Sequence, residues 1–358
     1  MRLPTTPTPI VLAPMAGGPG TPELVAAVGS AGALGFLPSG YVDVDTLRTN
    51  IDVVRSRIGG SFGVNLFVPA APDAERLQRA EQYVARLAAW AETVGMQPDR
   101  PAYTDDHYTD KLSLLVEQRT RVVSFTFGLP DQEAVDALHD VGSSVLVTVT
   151  NPEEASAAVA RGADGLVAQG WEAGAHQGGW LDSAEHWGVL PLLQSLVEQV
   201  DTPLVAAGGI ATGRAVAAVL TAGAQAAMLG TAFMRCPEAG TAPSHAAALH
   251  GSGPTLMTRA FTGRPARALS NELASRFDAV APDAYPEVHV ATSRMRADAR
   301  SRDHTDRYHL WAGQAHALAR AVPAADVVAT LDGEARAALQ RATLSWGAGA
   351  PAKPGRQG

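Results

Sequence analysis

The sequence predicts an α/β fold, a (β/α)8 TIM barrel with a helical insertion after the third strand and a C-terminal helical extension. Three observations carry this expectation. Short β-rich runs alternate regularly with alanine-rich stretches of helical period. Most of the runs are continuously apolar, as strands buried on both faces of a parallel sheet must be. Eight such units fill roughly 230 residues, the number and length of a closed barrel.

The strands are expected at residues 10–13, 33–37, 62–67, 121–126, 144–149, 165–168, 203–206 and 226–229. Helix starts are marked by Thr21-Pro22-Glu23, with an N-cap followed by proline at the first helical position. Asp131, Asn151-Pro152-Glu153-Glu154, Asp182-Ser183 and Thr212 mark the others. Between the third and fourth strands, residues 68–120 form an insertion: a long amphipathic helix over 73–94, the loop Tyr103-Thr104-Asp105-Asp106-His107-Tyr108, and a second helix. The organisation expected is a barrel over 1–235, a cap or helical region over 236–347 packing on it, and a flexible tail over 348–358. Within the cap, residues 236–271 mix helix signals with turns that would cover the barrel mouth, and 307–342 regain helical period.

Composition narrows the function. A chain of 358 residues, 46% hydrophobic and 18% charged, can bury a large core. The net charge of −8 offers no basic field for nucleic acid or anionic lipid, which leaves a small molecule as the expected partner. No apolar run reaches the roughly 18 residues needed to span a bilayer, and the opening residues carry no signal-peptide pattern, so a cytoplasmic location is expected. The single cysteine, Cys236, excludes an intramolecular disulfide and a multi-cysteine metal site. No pair of histidines has metal-ligand spacing, and no GxSxG marks a serine nucleophile.

In such a barrel the chemistry sits in the loops after the strands, with phosphate held after the last two. Those loops read Ala207-Gly208-Gly209-Ile210 and Gly230-Thr231. Glycines let backbone N–H groups approach an anion, and a following helix adds its positive end. One Gly-Gly alone would be an ordinary tight turn; two such loops at the two expected places point to a phosphate cradle. A Rossmann reading of Gly17-Gly18-Pro19-Gly20 fails, because the third spaced glycine and a ribose-binding carboxylate are missing. The sixth loop, from Gln169 to Trp180, gathers a histidine, amides, a carboxylate and several glycines at the end of a strand. His176 there is the candidate general base. His139, His186, His245, His250, His289, His304, His309 and His316 are read as helix-surface or loop residues.

The residues also carry a resemblance. Pro9-Ile10-Val11-Leu12-Ala13-Pro14-Met15, Gly63-Val64-Asn65-Leu66-Phe67-Val68-Pro69, the loop from Gln169 to Gly178, Ala207-Gly208-Gly209-Ile210 and Met228-Leu229-Gly230-Thr231 together resemble the nitronate monooxygenase (2-nitropropane dioxygenase) family. Residues 123–128, 259–267 and 311–314 add to it. The resemblance implies FMN as cofactor and oxidation of alkyl nitronates, propionate 3-nitronate among them, with O2 to a carbonyl compound and nitrite, a detoxification. It implies His176 as the base or substrate-orienting residue. It implies cofactor contacts from Ala13, Pro14, Met15, Asn65, Gln169, Gly174, Gly208, Gly209, Met228, Leu229, Gly230 and Thr231, with Gly209, Gly230 and Thr231 facing the phosphate. Asn65, polar inside an apolar strand, needs a hydrogen-bond partner that a flavin edge would supply, although for Asn65 and Gln169 alike a backbone partner would serve. Glu172 would orient His176 or cap the loop; Tyr103 and Tyr108 would line the pocket or pack the insertion. The family has two glycines before the histidine where this chain has Gly174-Ala175, so a positive φ at 175 would cost about 1 kcal/mol. Two alternatives remain: an FMN-dependent, NADH-using reductase of the enoyl-acyl-carrier-protein or quinone type, and a non-catalytic flavin-binding protein.

Overall fold

The computed structural model describes residues 5–181 and 185–347. Eight parallel strands close into a barrel in the order β1(Ile10–Leu12), β2(Leu34–Pro38), β3(Gly63–Phe67), β4(Val122–Thr126), β5(Ser144–Val149), β6(Gly165–Gln169), β8(Leu204–Ala207) and β9(Ala226–Leu229). β9 returns to β1 with Val11 opposite Met228, so the sheet has no edge. Each strand falls within two residues of the position that its apolar run predicts. Every residue of β5 is buried, which accounts for the unbroken apolar pattern. Val11, Phe36, Val122, Leu146, Val167 and Val205 fill the barrel interior.

Around the barrel run α1(Pro22–Ser30), α2(Val44–Arg57), α4(Tyr108–Glu117), α5(Gln132–Asp140), α6(Pro152–Ala160), α7(Val189–Val197) and α8(Gly213–Thr221). Thr21, Asp131, Asn151 and Thr212 cap their helices through side-chain oxygens that accept backbone N–H groups, as their positions predict. The start expected at Asp182-Ser183 lies outside the described residues; α7 begins at Val189 behind Gly188, which has no side chain to cap it.

A second core covers the barrel mouth. The insertion helix α3(Ala74–Thr93) packs against α11(Glu287–Ser301), and Tyr83, Leu87, Trp90, Phe261, Phe277 and Met295 join their faces to α10(Glu272–Phe277). Here the structure adds a small antiparallel sheet that residues 236–271 did not announce: β10(Thr255–Thr258) pairs with β11(Ala266–Leu269), and β11 with the two-residue β7(Ala175–His176) from the sixth loop. The short helix α9(Pro243–Ala248) precedes it.

The helical expectation for 307–342 is corrected. Residues 308–322 cross the mouth in extended and 3-10 form, because their backbone is engaged by β11: Leu269 donates to Leu310 O and Ala312 to Arg267 O. Helix starts only at α12(Ala324–Gly347), just after Pro323. Its Val327, Val328 and Leu331 enter the barrel core, against α8 and α1. The tail expected at 348–358 lies outside the described residues. Among the described residues, no helix is long and apolar enough to cross a membrane.

Candidate active site

An open cavity lies at the C-terminal end of the barrel strands. Its walls come from the end of β1 (Ala13, Pro14, Met15), from Asn65, Gln169 and Gly174, from His176, from Gly208 and Gly209, and from Met228, Leu229, Gly230 and Thr231. Six strands, β1, β3, β6, β7, β8 and β9, and the loops that follow them thus bring every sequence-predicted site residue to one space.

One end is glycine-rich. Gly208 and Gly209 have φ of +107° and +68°, and a Cβ at Gly209 would lie 2.6 Å from Glu172 Cγ. The N–H groups of Gly209, Gly230 and Thr231 have no acceptor among the described residues. Thr231 Oγ1 accepts from Gly313 N–H at 3.1 Å, which fixes the segment that crosses the mouth. The nearby start of α8 is already engaged, since Glu334 accepts from Gly213 N–H at 2.9 Å.

The floor is polar. Asn65 is buried, and its Nδ2 donates to Ser124 Oγ (3.0 Å), Thr126 Oγ1 (2.9 Å) and Ser124 O (3.2 Å). The partner it needs is therefore the neighbouring strand, and only its Oδ1 remains for a ligand. Gln169 is likewise engaged: Nε2 donates to His176 O at 3.1 Å, and Oε1 accepts from Gly178 N–H at 2.7 Å. Glu172 caps rather than orients. Its Oε1 accepts from Val189 N–H at 3.0 Å, at the first residue of α7.

The other end is aromatic. The His176 ring packs against Trp311, Phe127 and Tyr285, with centroids 5.3, 5.5 and 5.8 Å away. Its Nε2 lies 2.9 Å from Thr262 Oγ1. Burial, reinforced by the Arg264 and Arg296 charges, pushes the imidazole down to about 3, so it is neutral at physiological pH. Ala175 holds φ +60°, the left-handed conformation that the departure from two glycines leaves to alanine. Arg264 and Arg267 bind the loop from both sides: Arg267 donates to Trp171 O through Nε (3.1 Å) and Nη2 (2.8 Å), and Arg264 donates to Gln177 O (3.0 Å) and Gly179 O.

Tyr41 also lines this end. It has φ +67°, and Asp106 Oδ1 accepts its N–H at 2.9 Å; Asp106 is paired with the buried Lys111 at 2.8 Å. Tyr103 and Tyr108 do not line the cavity: Tyr103 is exposed, and Tyr108 packs beside Phe125. Four of the histidines read as helix-surface or loop residues pack inward instead of facing solvent. His245 and His316 are buried, their ring nitrogens at carbonyl oxygens, and His289 and His309 sit in the second core around Arg296. Sequence reasoning missed Tyr41, Phe127 and Tyr285 as site residues; Phe127 had a signal, its place directly after β4 and within the motif at 123–128.

The sequence model of the nitronate monooxygenase family matches residues 4–334. The nitronate monooxygenase of Pseudomonas aeruginosa is 40% identical over 347 residues, covering 92% of this chain and 96% of that protein. That of Paraburkholderia phytofirmans is 37% identical over 348 residues, 93% of each. Among solved structures, a nitroalkane oxidase from Streptomyces ansochromogenes superposes with a TM-score of 0.89 at 45% identity, covering 94% of this chain and 98% of that one. FabK from Thermotoga maritima superposes with 0.76 at 25% identity, covering 94% and 96%. With the family matched across nearly the whole length and the barrel, glycine cradle and loop-six histidine in place, this oxidoreductase belongs to the nitronate monooxygenase family.

Proposed function

We propose that the protein oxidises alkyl nitronates with O2 to a carbonyl compound and nitrite, using non-covalently bound FMN, with His176 as the base or substrate-orienting residue. The observation that carries this reading is the pairing, in one cavity, of a neutral, half-buried histidine at the aromatic end with unpartnered backbone donors at the glycine end.

The residues fit a flavin mononucleotide. Three N–H groups without acceptors, at Gly209, Gly230 and Thr231, suit a phosphate, and an added side chain at Gly209 would meet Glu172. Ala13, Pro14, Met15, Gly174, Met228 and Leu229 offer an apolar wall for a flat ring, and Asn65 Oδ1 an acceptor at its edge. Gly208 shapes the turn. Gln169 serves the site through the loop it fastens. Bound flavin would supply the redox chemistry between substrate and O2.

The chain itself handles the proton and the charge. Thr262 Oγ1 lies 3.4 Å from Arg264 O as well as 2.9 Å from His176 Nε2. A hydroxyl that donates to the carbonyl accepts from Nε2–H, which leaves the Nδ1 lone pair to take the α-proton of a neutral nitroalkane. A substrate arriving as the nitronate needs no proton removed, and the ring then orients it. Phe127, Tyr285 and Trp311 exclude water around the imidazole.

An anaerobic titration tests the reading. The purified protein should be yellow, and its flavin should be bleached by propionate 3-nitronate and not by NADH. Bleaching by NADH alone would assign it to the NADH-using reductases; bleaching by neither would leave a flavin-binding protein without this activity.

A further inference from the structure

Behind the aromatic end of the cavity lies a charge that the chemistry above does not use. Arg296, on α11, is 4% exposed. Its Nη1 donates to His309 Nδ1 at 2.8 Å, its Nη2 to His289 Nδ1 at 3.2 Å and its Nε to Thr292 Oγ1 at 3.1 Å. Guanidinium has only donors, so both Nδ1 atoms must present lone pairs, and both histidines are held as neutral Nε2–H tautomers. Neither can gain a proton there without leaving Arg296.

The cluster therefore carries one fixed positive charge. Among the described residues no carboxylate pairs with Arg296. Arg264, the other cation near His176, differs: Asp283 and Glu154 lie in its surroundings, and its Nε and Nη2 hold the carbonyls of Gln177 and Gly179. A buried charge with no counter-ion is costly unless an anion completes it.

Two layers of rings separate this charge from the cavity. His289 stacks on Tyr41 with centroids 4.0 Å apart and parallel planes, and His309 lies 4.7 Å from Trp311. Tyr41 and Trp311 line the cavity, and Trp311 touches His176. The Tyr41 and Tyr285 hydroxyls are 3.3 Å apart, so one donates to the other and one proton is left to offer outward. Burial keeps the Tyr41 phenol protonated, pushed up to about 12.

We propose that Arg296 is the positioning residue for the anionic head of the substrate: locked behind Tyr41 and Trp311 by His289, His309 and Thr292, it supplies the fixed positive charge that draws a planar monoanion to the aromatic end of the cavity beside His176. The inference rests on the reading of this cavity as the nitronate site. It adds that affinity for the anion comes from an arginine that touches neither substrate nor flavin, and that this affinity is independent of pH where a histidine would titrate. The charged and titratable groups facing this end are Arg264 and Arg296, the histidines 176, 289 and 309, Tyr41 and Tyr285, and Asp106, which Lys111 neutralises. Arg300, on the same helix, faces Arg296 and leaves the balance positive. Burial lowers Arg296 to about 10, which keeps it charged at neutral pH.

Nitrate, a planar monoanion that does not react, is the probe. Calorimetric titration of the flavin-loaded enzyme should show one cavity-bound nitrate whose affinity is constant from pH 5.5 to 8. Arg296→Met should weaken it at least tenfold, as expected for loss of a unit charge behind two layers of rings, with Arg296→Lys weakened less. KM for the nitronate should rise in parallel while kcat changes by a smaller factor. The inference fails if nitrate does not bind the unmodified enzyme, or if its affinity falls between pH 6 and 7 with the slope of one proton, which would make a histidine the cation. It also fails if Arg296→Met, with native near-ultraviolet circular dichroism and flavin content, binds nitrate within twofold of the original. Where Arg296→Met does not fold, the pH dependence and the lysine variant decide. Nitrate binding that depends on Arg296 in an enzyme inert to nitronates would overturn the proposed activity and leave the anion site standing.

Discussion

The side-chain amide of Gln169, at the end of β6, donates to the backbone carbonyl of His176 seven residues later, at 3.1 Å, while its oxygen accepts from Gly178 at 2.7 Å. One side chain thus fastens the loop on both sides of the candidate base. Gln169→Leu removes both bonds, each worth about 1 kcal/mol, and leaves a buried carbonyl and N–H unpaired. The loop should loosen, and kcat/KM for nitronate should fall tenfold or more. Gln169→Glu retains the acceptor for Gly178 but sets a carboxylate oxygen against the His176 carbonyl, so it should be no better than leucine. Steady-state oxidation of propionate 3-nitronate with each variant is the check.

His176 itself contributes no bond to the glycine end of the cavity, so His176→Asn should leave flavin content unchanged. Anaerobic flavin reduction by substrate, followed by stopped flow, should slow by about a hundredfold or more, the range of a lost general base. Unchanged reduction kinetics would remove the histidine from the mechanism.

Positions 174 and 175 are neighbours with opposite tolerances. Ala175 sits at φ +60°, where glycine is at home, whereas a Cβ on Gly174 would lie 2.5 Å from Gly313 N. Ala175→Gly should stabilise the fold by at most about 0.5 kcal/mol, the strain of about 1 kcal/mol less the backbone entropy of glycine. Gly174→Ala should push the mouth-crossing segment away and lose flavin. Thermal unfolding and the visible spectrum of the two variants distinguish the effects.

Buried neutral histidines make stability depend on pH. Burial pushes His176 down to about 3 and His245 to about 4, and holds His289 and His309 well below their usual value. The unfolded chain takes up protons at these sites below about pH 6.5 and the folded chain does not, so stability is full above that value and falls as pH drops. At pH 5 each of His176 and His245 costs about 2 kcal/mol relative to pH 8. Tm should therefore fall steeply between pH 7 and 5, and less steeply in His176→Asn. A Tm flat across that range would show these rings to be charged in the folded state.

The barrel was legible in the sequence because parallel strands buried on both faces leave apolar runs, and because Thr21, Asp131, Asn151 and Thr212 are cap residues in the ordinary sense. The glycine end was legible for a related reason: Gly208-Gly209 and Gly230-Thr231 follow the last two strands directly. The aromatic end was not. β7 has two residues and no periodicity, and its strand partner is β11, some ninety positions away. Arg296, His289 and His309 meet Tyr41 through the packing of α11 on the insertion, which no local pattern encodes. The stretch 308–322 read as helix because its period is helical, yet hydrogen bonds to β11 outweigh that preference.

That packing hangs on an ion pair. Arg76 Nε, on α3, donates to both carboxylate oxygens of Glu287, on α11, at 3.0 and 2.9 Å, and the side chains are 12% and 1% exposed. The two halves of the pair should respond unequally to mutation. Arg76→Met strands a carboxylate with almost no solvent, which costs about 3–5 kcal/mol. Glu287→Gln leaves an amide oxygen that still accepts from Arg76, and Arg76 keeps its bond to Ala71 O, so the cost should be about 1–2 kcal/mol. Urea unfolding of the two single variants measures the difference. Because α11 also carries His289 and Arg296, Arg76→Met should raise KM for nitronate as well, while Glu287→Gln should leave it near the original value. Equal costs would mean that α3 and α11 are held by their apolar faces alone, with the buried pair contributing orientation and no stability.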